Sequence, residues 1–341
     1  MPYLNKVYII AASRTPMGSF LGSLAQISAP ELGAFAVKDV LKKVQINVHP
    51  DSIVMGNVLQ ANVGQAPARQ VAHLSDLPNS VCATTVNKVC ASGMKAIDMI
   101  ASDIALGKID SGIAGGMESM SQVPYYQSNI RTGKSFGHLN LTDGLLKDGL
   151  TDVSSGKSMG ECGDIAAEKF GFSREDQDAF ALASQQKAAR AQQEGRWDKE
   201  IVPVSIPQKK GEPKIFSQDE FIKSNSSLEV LSGLKAAFRK GGSVTAGNAS
   251  GLNDGAAALF VMNDNGLKKT GAKPLAKILS TGISGVEPRI MGIGPVEASK
   301  LALQRAGLTL DDMDIIELNE AFAAQVLSCT RALGLMDNDP R

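Results

Sequence analysis

The apolar positions in the N-terminal third of the chain switch repeatedly between two periods. Short runs rich in β-branched residues, at 7–12, 52–59, 81–86 and 111–115, read as buried strands. Between them, apolar residues recur at helical spacing and predict helices over 30–44, 66–74 and 91–106. In the last of these Met94, Ile97, Ile100 and Ile104 carry the spacing, and Gly107 marks the stop. This alternation predicts an α/β protein with a largely parallel sheet covered by helices. From about residue 117 to residue 244 the pattern dissolves into polar, Gly- and Pro-punctuated sequence. The helix at 173–193 stands out there, opening on Ser173-Arg174-Glu175-Asp176, an N-cap followed by first-turn acids. So long a stretch with little strand character predicts a lid or binding region rather than a linker. From Gly255 onward the alternation returns, with strands at 256–262, 274–281 and 314–318 and helices at 295–306 and 321–333.

The two alternating zones echo each other. Pro30-Glu31-Leu32 begins a helix that leads through a polar joint to Asp51 and the strand Ile53-Val54-Met55-Gly56-Asn57. Pro295-Val296-Glu297 likewise begins a helix, followed by Leu308-Thr309-Leu310-Asp311 and Ile315-Ile316-Glu317-Leu318-Asn319. The order helix, joint, acid, strand, Asn points to a duplication. By that comparison a helix and at least two strands have no counterpart in the C-terminal half, which is expected to be incomplete.

Composition narrows the function classes. The chain has 341 residues and 43% apolar content, enough for a large core and two closely packed domains. Lys+Arg and Asp+Glu number 35 each, so the net charge of +0 gives no electrostatic case for nucleic acid or an anionic membrane as partner. Nothing approaches the roughly 18 consecutive apolar residues of a membrane span. The first residues enter a strand almost at once, so no leader is expected. Cys82, Cys90, Cys162 and Cys329 are irregularly spaced and form no C-x-x-C pair, which fits a reducing compartment rather than a disulfide framework.

Cys90 falls where the 81–86 strand meets the 91–106 helix. A helix N-terminus favours negative charge, so the thiol is expected to be more acidic than usual and to act as a nucleophile. The alternative is a small buried core residue.

Several segments, taken in order, carry a resemblance. They are Ser13-Arg14-Thr15-Pro16 with Gly18-Ser19-Phe20, Gly64-Gln65-Ala66-Pro67-Ala68-Arg69-Gln70, and Val86-Asn87-Lys88-Val89-Cys90-Ala91-Ser92-Gly93-Met94-Lys95-Ala96. There follow Ala114-Gly115-Gly116-Met117-Glu118-Ser119-Met120-Ser121, Asp148-Gly149-Leu150-Thr151-Asp152, the run Val244-Thr245-Ala246-Gly247-Asn248-Ala249-Ser250-Gly251-Leu252-Asn253-Asp254-Gly255, and Asn319-Glu320-Ala321-Phe322. With these motifs the chain resembles the thiolases, and within them the short-chain acetyl-CoA acetyltransferases, over nearly its whole length.

The resemblance implies a duplicated αβαβα fold. Residues 1–116 and 245–263 would form the N-terminal half, 117–244 a loop domain over coenzyme A, and 264–341 a truncated C-terminal half. It implies that Cys90 is the nucleophile that carries an acetyl group as a thioester. Asn319 would hold a water in an oxyanion hole, although on local sequence it equally suits a turn before a helix. Ser250 would contact pantetheine, and its Asn-Ala-Ser-Gly setting also suits an ordinary turn. Leu150, Met159, Phe238, Ala246, Met291 and Phe322 would line the pantetheine tunnel; as bare sequence each also suits simple core. Coenzyme A and acetyl-CoA enter as substrates, with no permanently bound cofactor and no metal. The expected partner is a further copy of the chain, in a dimer or tetramer. The resemblance also implies ketone-body metabolism or fatty-acid β-oxidation, in the mitochondrion by the nearest branch or else in the cytoplasm.

Three departures qualify it. Thiolases carry a His in a Gly-His-Pro motif and a second Cys in a Gly-rich motif, and neither has a counterpart up to Arg341. The histidines present, His49, His73 and His138, do not correspond to that base. Relatives have a His before the Met matching Met159, where this chain has Ser158, so that acyl-CoA contact is altered. Gln185 replaces a tyrosine of the potassium-dependent branch, so no potassium site is expected. A second expectation therefore stands beside the acyltransferase: a catalytically impaired CoA-binding protein or partner subunit. A ketoacyl-synthase type of condensing enzyme ranks third.

Overall fold

The computed structural model describes residues 5–44, 49–335 and 339. Its centre is a seven-stranded mixed sheet. Strands β1 (Val7–Arg14), β2 (Ser52–Gly56), β3 (Cys82–Val86) and β4 (Ser111–Ser119) alternate with helices α1 (Ala29–Val44), α2 (Pro67–Leu74) and α3 (Ser92–Ala105). Helices α4 (Met159–Phe170) and α5 (Arg174–Gln193) lie in the middle region. Then come β5 (Asn253–Met262), β6 (Ala276–Ile278), α6 (Gly294–Ala306) and α7 (Ala323–Leu333). The strand order is β6-β1-β5-β4-β2-β3, with the two-residue strand Gly18–Ser19 pairing to β5. β2 runs parallel to β3 and β4, while β5 is antiparallel to β1 and β4.

Period-2 alternation decides which helix each strand residue meets. Ile53 and Met55 of β2, Ile113 of β4, and Phe260 and Met262 of β5 pack with Leu32, Ala36, Val37 and Val40 of α1. Val54, Ala114 and Val261, one position along from them, pack with Ala96, Ile100 and Ile104 of α3. Each helix presents one apolar stripe, and β2, β4 and β5 are largely buried on both faces, whereas the edge strand β3 is partly exposed. This matches the near-continuous apolar runs of the sequence.

The middle region is tied to the sheet most densely at Arg14. Arg14, last in β1, donates from Nε to Glu200 (2.7 Å) and bidentately to Asp219 (2.7 and 3.0 Å). Trp197 stacks its ring 5.5 Å from the guanidinium. The Arg14 backbone also exchanges hydrogen bonds with Glu200 and Val202. Next to this clamp, Glu220 accepts from the Ser19 amide (2.8 Å) and the Ser23 hydroxyl (2.7 Å).

The C-terminal part differs from the sequence expectation in two places. The strand expected at 274–281 shortens to β6, which pairs antiparallel to β1. The one expected at 314–318 does not form; its residues are irregular, and Ile315 is 80% exposed. A β-rich segment becomes a strand only against a neighbouring strand, and none lies beside 314–318 among the described residues. Also among them, no helix is long and apolar enough to cross a membrane.

Candidate active site

The parallel strands β2 and β3 end level with one another, Gly56 being in register with Val86 and with Gly116 of β4, which runs on to Ser119 beside β5. The segments leaving β2 and β3 therefore meet the last residues of β4 on one side of the sheet, the usual place for a ligand in a parallel arrangement. From β2 come Asn57, Val58 and Leu59; from β3 comes the turn 87–91; from β4 come Met117 and Glu118.

Cys90 lies on the turn, exposed, one residue before Ala91, the N-cap of α3. Its predecessor Val89 has φ of +48°, a conformation a β-branched residue rarely adopts. Hydrogen bonds hold it there. The Val89 amide donates to Asn87 Oδ1 (2.9 Å), and the Ser92 hydroxyl donates to the Val89 carbonyl (2.5 Å) while accepting from the Lys88 amide (2.8 Å). Gly56 is required beneath the turn, because a Cβ there would lie 2.7 Å from the Ser92 backbone and Cβ. Backbone strain of this kind is worth about 1–3 kcal/mol and is kept where a reactive side chain must be presented.

The acidity of Cys90 runs against the expectation from sequence. Surrounding protein pushes the thiol up, and the hydrogen bond from its own backbone N–H offsets this only in part. Cys90 sits just before the N-cap, and burial of its sulfur is what keeps it from being an acidic thiol. Opposite it, Glu118 accepts from the Val58 amide (2.9 Å), the Leu59 amide (3.2 Å) and Asn57 Nδ2 (2.7 Å). Burial pushes that carboxyl up, while these donors pull the other way.

A second group forms around the loop 243–252. Asn248 is buried and donates to Asp178 (2.9 Å), which pairs with Arg174 (2.7 Å). That network anchors the loop to α5. The Ser250 amide donates to the Ala321 carbonyl (2.9 Å), the Ala323 amide to the Asn248 carbonyl (2.9 Å), and Ala249 bridges to Phe322. Ser250 is thereby stitched to the stretch that carries Asn319. Asn319 and Glu320 are both exposed, and Ser184 of α5 donates to Glu320 at 2.5 Å. The Phe322 and Phe238 rings meet edge to face at 6.2 Å. Phe238 lies so close over Gly160 that a side chain there would run into the ring, which puts Phe238 beside Met159. Met291 is on a short helical segment, Pro288–Ile293, packed against α4 and α7.

The two groups are joined by the segment at Leu150. Gly149 lies against Leu59, in the Cys90 group, and Thr151 bridges to Ser158 at the head of α4. The hydroxyl of Ser158 is committed to a capping box with Glu161, so it serves the helix rather than an open wall. Ala246 is exposed at the rim of the 243–252 loop.

The site residues thus fall into two groups, the exposed Cys90 turn with Glu118 and the 243–252 loop with the stretch 319–323. The family description "Thiolase, N-terminal domain" matches residues 7–265, and "Thiolase, C-terminal domain" matches residues 272–339. The chain belongs to the thiolase family. Among relatives of this thiolase, a "Probable acetyl-CoA acyltransferase" of Staphylococcus aureus (strain COL) is 49% identical over 333 residues, covering 97% of this chain and 85% of its own length. An "Acetyl-CoA acetyltransferase" of Pseudomonas aeruginosa is 49% identical over 332 residues, covering 97% of this chain and 84% of its own length. The crystal structure of the Bacillus anthracis acetyl-CoA acetyltransferase superposes with a TM-score of 0.95 at 37% identity, over 99% of this chain and 85% of that one. The mixed α/β thiolase fold expected from the motifs is therefore present.

The mitochondrial compartment expected from sequence is corrected. These relatives are bacterial, and bacteria have no mitochondria. Sequence reasoning also passed over Asn57, Ser92, Glu118 and Asp178. The available signal was a carboxylate ending the apolar run Ile113-Ala114-Gly115-Gly116-Met117, which makes sense only if something buried needs it.

Proposed function

We propose that the chain is an acyltransferase that converts two acetyl-CoA to acetoacetyl-CoA and CoA, and runs the reverse thiolysis, through S-acetyl-Cys90. Cys90 Sγ attacks the thioester carbonyl of acetyl-CoA; the C–S bond to CoA breaks and CoA departs. A second acetyl-CoA loses an α-proton, its carbanion attacks the S-acetyl carbonyl, the new C–C bond forms and the Cys90 thiolate is released. The α-proton balances the departed CoA thiolate. Sulfur suits both halves, since a thiolate attacks a thioester and leaves from one with similar ease. Asn319, through a water, would hold the enolate oxygen of the second acetyl-CoA. Pantetheine would run past Leu150, Met159, Phe238, Ala246, Met291 and Phe322 to Ser250. Ser158 would contribute through the α4 cap rather than by direct contact.

The observation that carries this reading is Cys90 presented outward by a turn pinned on both sides at the level ends of parallel strands. Incubation with acetyl-CoA, followed by peptide mapping, is expected to reveal one acetyl group on Cys90. An unmodified Cys90 under conditions that acetylate the Pseudomonas relative would overturn it.

Thiolysis suits fatty-acid β-oxidation, and condensation suits ketone-body formation. A homo-oligomer, dimer or tetramer, is supported by β3, which ends the sheet with exposed residues and, among the described residues, pairs only with β2. Light scattering is expected to give a multiple of the chain mass; a monomer at micromolar concentration would count against it.

A further inference from the structure

We infer that Glu118 and Asn87 are positioning residues for Cys90, acting through hydrogen bonds that meet at the Val58 backbone and end at Val89. Glu118 Oε2 accepts from the Val58 amide at 2.9 Å. The carbonyl of the same residue, Val58, accepts from Asn87 Nδ2 at 3.4 Å, and Asn87 Oδ1 accepts from the Val89 amide at 2.9 Å. Val89 is the residue held at φ +48°, so its peptide orientation decides where the Cys90 amide points. That amide is the group that pulls the Cys90 thiol down against burial. The far end is rigid as well: Asn57 Nδ2 donates to Glu118 Oε1 (2.7 Å) and the Met117 carbonyl (3.2 Å), and the Asn57 amide donates to the Val86 carbonyl (3.1 Å). The exits of β2, β3 and β4 are thus tied to each other, and Cys90 hangs from the knot.

A carboxylate is suited to this place. It can accept from three N–H donors that point at one spot, which a neutral amide cannot do. Burying a carboxylate is costly without such donors, and the segment 57–59 that supplies them also accepts from Asn87 at the Val58 carbonyl. The charged groups on the elements around the turn are Lys88, Lys95, Asp98, Asp103 and Glu118; Lys95 is paired with Asp98 at 2.6 Å and Asp103 with Lys108 at 3.0 Å.

The test is the pH profile of Cys90 alkylation by iodoacetamide, read by peptide mapping so that exposed Cys82 is counted separately. The inference rests on Cys90 as the nucleophile, and alkylation reads the thiol without acetyl-CoA, so the two readings can fail independently. Glu118→Gln is expected to move the midpoint upward and slow alkylation at pH 8 by about tenfold, the worth of one lost hydrogen bond to an anion. Removing the carboxylate's charge by itself would move the midpoint downward, so the sign separates positioning from simple electrostatics. Asn87→Ser, neutral and on the exposed turn, is expected to move the midpoint in the same direction without lowering thermal stability by more than a degree or two. A core substitution such as Ile53→Val lowers stability and is expected to leave the midpoint in place. Midpoints unmoved in both Glu118→Gln and Asn87→Ser, or lowered in Glu118→Gln, would overturn the assignment.

Discussion

Cys90 joins two features that pull against each other, exposure to reagent and a thiol pushed above its ordinary range. A raised thiol value favours the protonated form at neutral pH. Alkylation of the free protein should therefore be slow at pH 7 and climb with pH beyond the midpoint of an unperturbed cysteine, about 8.5. A midpoint below 8 would contradict this. Bound substrate or further donors must supply the thiolate during turnover, since nothing in the turn except the Cys90 amide does so. Cys90→Ser keeps the geometry and loses the nucleophile. It should lower condensation and thiolysis by at least about a thousandfold, roughly 4 kcal/mol of barrier, with unchanged thermal stability. Retained activity in steady-state assays would remove Cys90 from the mechanism.

At the scale of elements, the β3-to-α3 turn is the clearest case of local strain kept by its surroundings. Asn tolerates positive φ far better than a β-branched residue. Val89→Asn should therefore stabilise the protein by about 1 kcal/mol in denaturant titration, with the alkylation rate of Cys90 within a few-fold of the parent. Absence of a gain would mean that Val89 recovers the strain through packing. The docking of α3 is also sensitive to pH. Burial pushes the Asp98 carboxyl up, but hydrogen bonds from Lys95 and Thr281 outweigh it and hold the group below its ordinary range. A depressed carboxyl contributes stability that is full above its unfolded value, near pH 4, and is lost as pH falls through the folded value. Asp98→Asn should accordingly narrow the stability difference between pH 7 and pH 3, as read from melting curves. An undiminished pH dependence would assign it to other carboxylates.

For the whole molecule, the decisive joint is Arg14. It meets Glu200, Asp219 and Trp197 from the end of β1, and its side chain is largely buried. Removing the cation leaves two partly buried carboxylates without it, so Arg14→Ala should cost about 2–4 kcal/mol. Limited proteolysis should then cut first in the exposed polar stretch around Lys209, Lys210 and Gly211. Cleavage unchanged from the parent would mean that Glu220 and its partners suffice to hold the middle region.

What could be read from sequence followed from short-range physics. Alternating periods named β1, α1, β2, β3, α3 and β4 to within a few residues, because each buries its apolar face wherever it sits. The motif set named the family and put Cys90 at a strand-to-helix turn. The strand expected at 314–318 failed because strand character is a property of pairs. The thiol's acidity failed because burial of the sulfur, which no local pattern along the chain shows, raises it. The relation of Glu118 to Cys90 could not be read along the chain at all: Val58 and Asn87 follow the ends of two strands and Glu118 lies within a third, and only parallel pairing in register at Gly56 brings the three to one height. Sequence by itself determined the elements and the kind of chemistry. Tertiary structure decided how the thiol is aimed, because hydrogen bonds between distant segments form only after the sheet has set their heights.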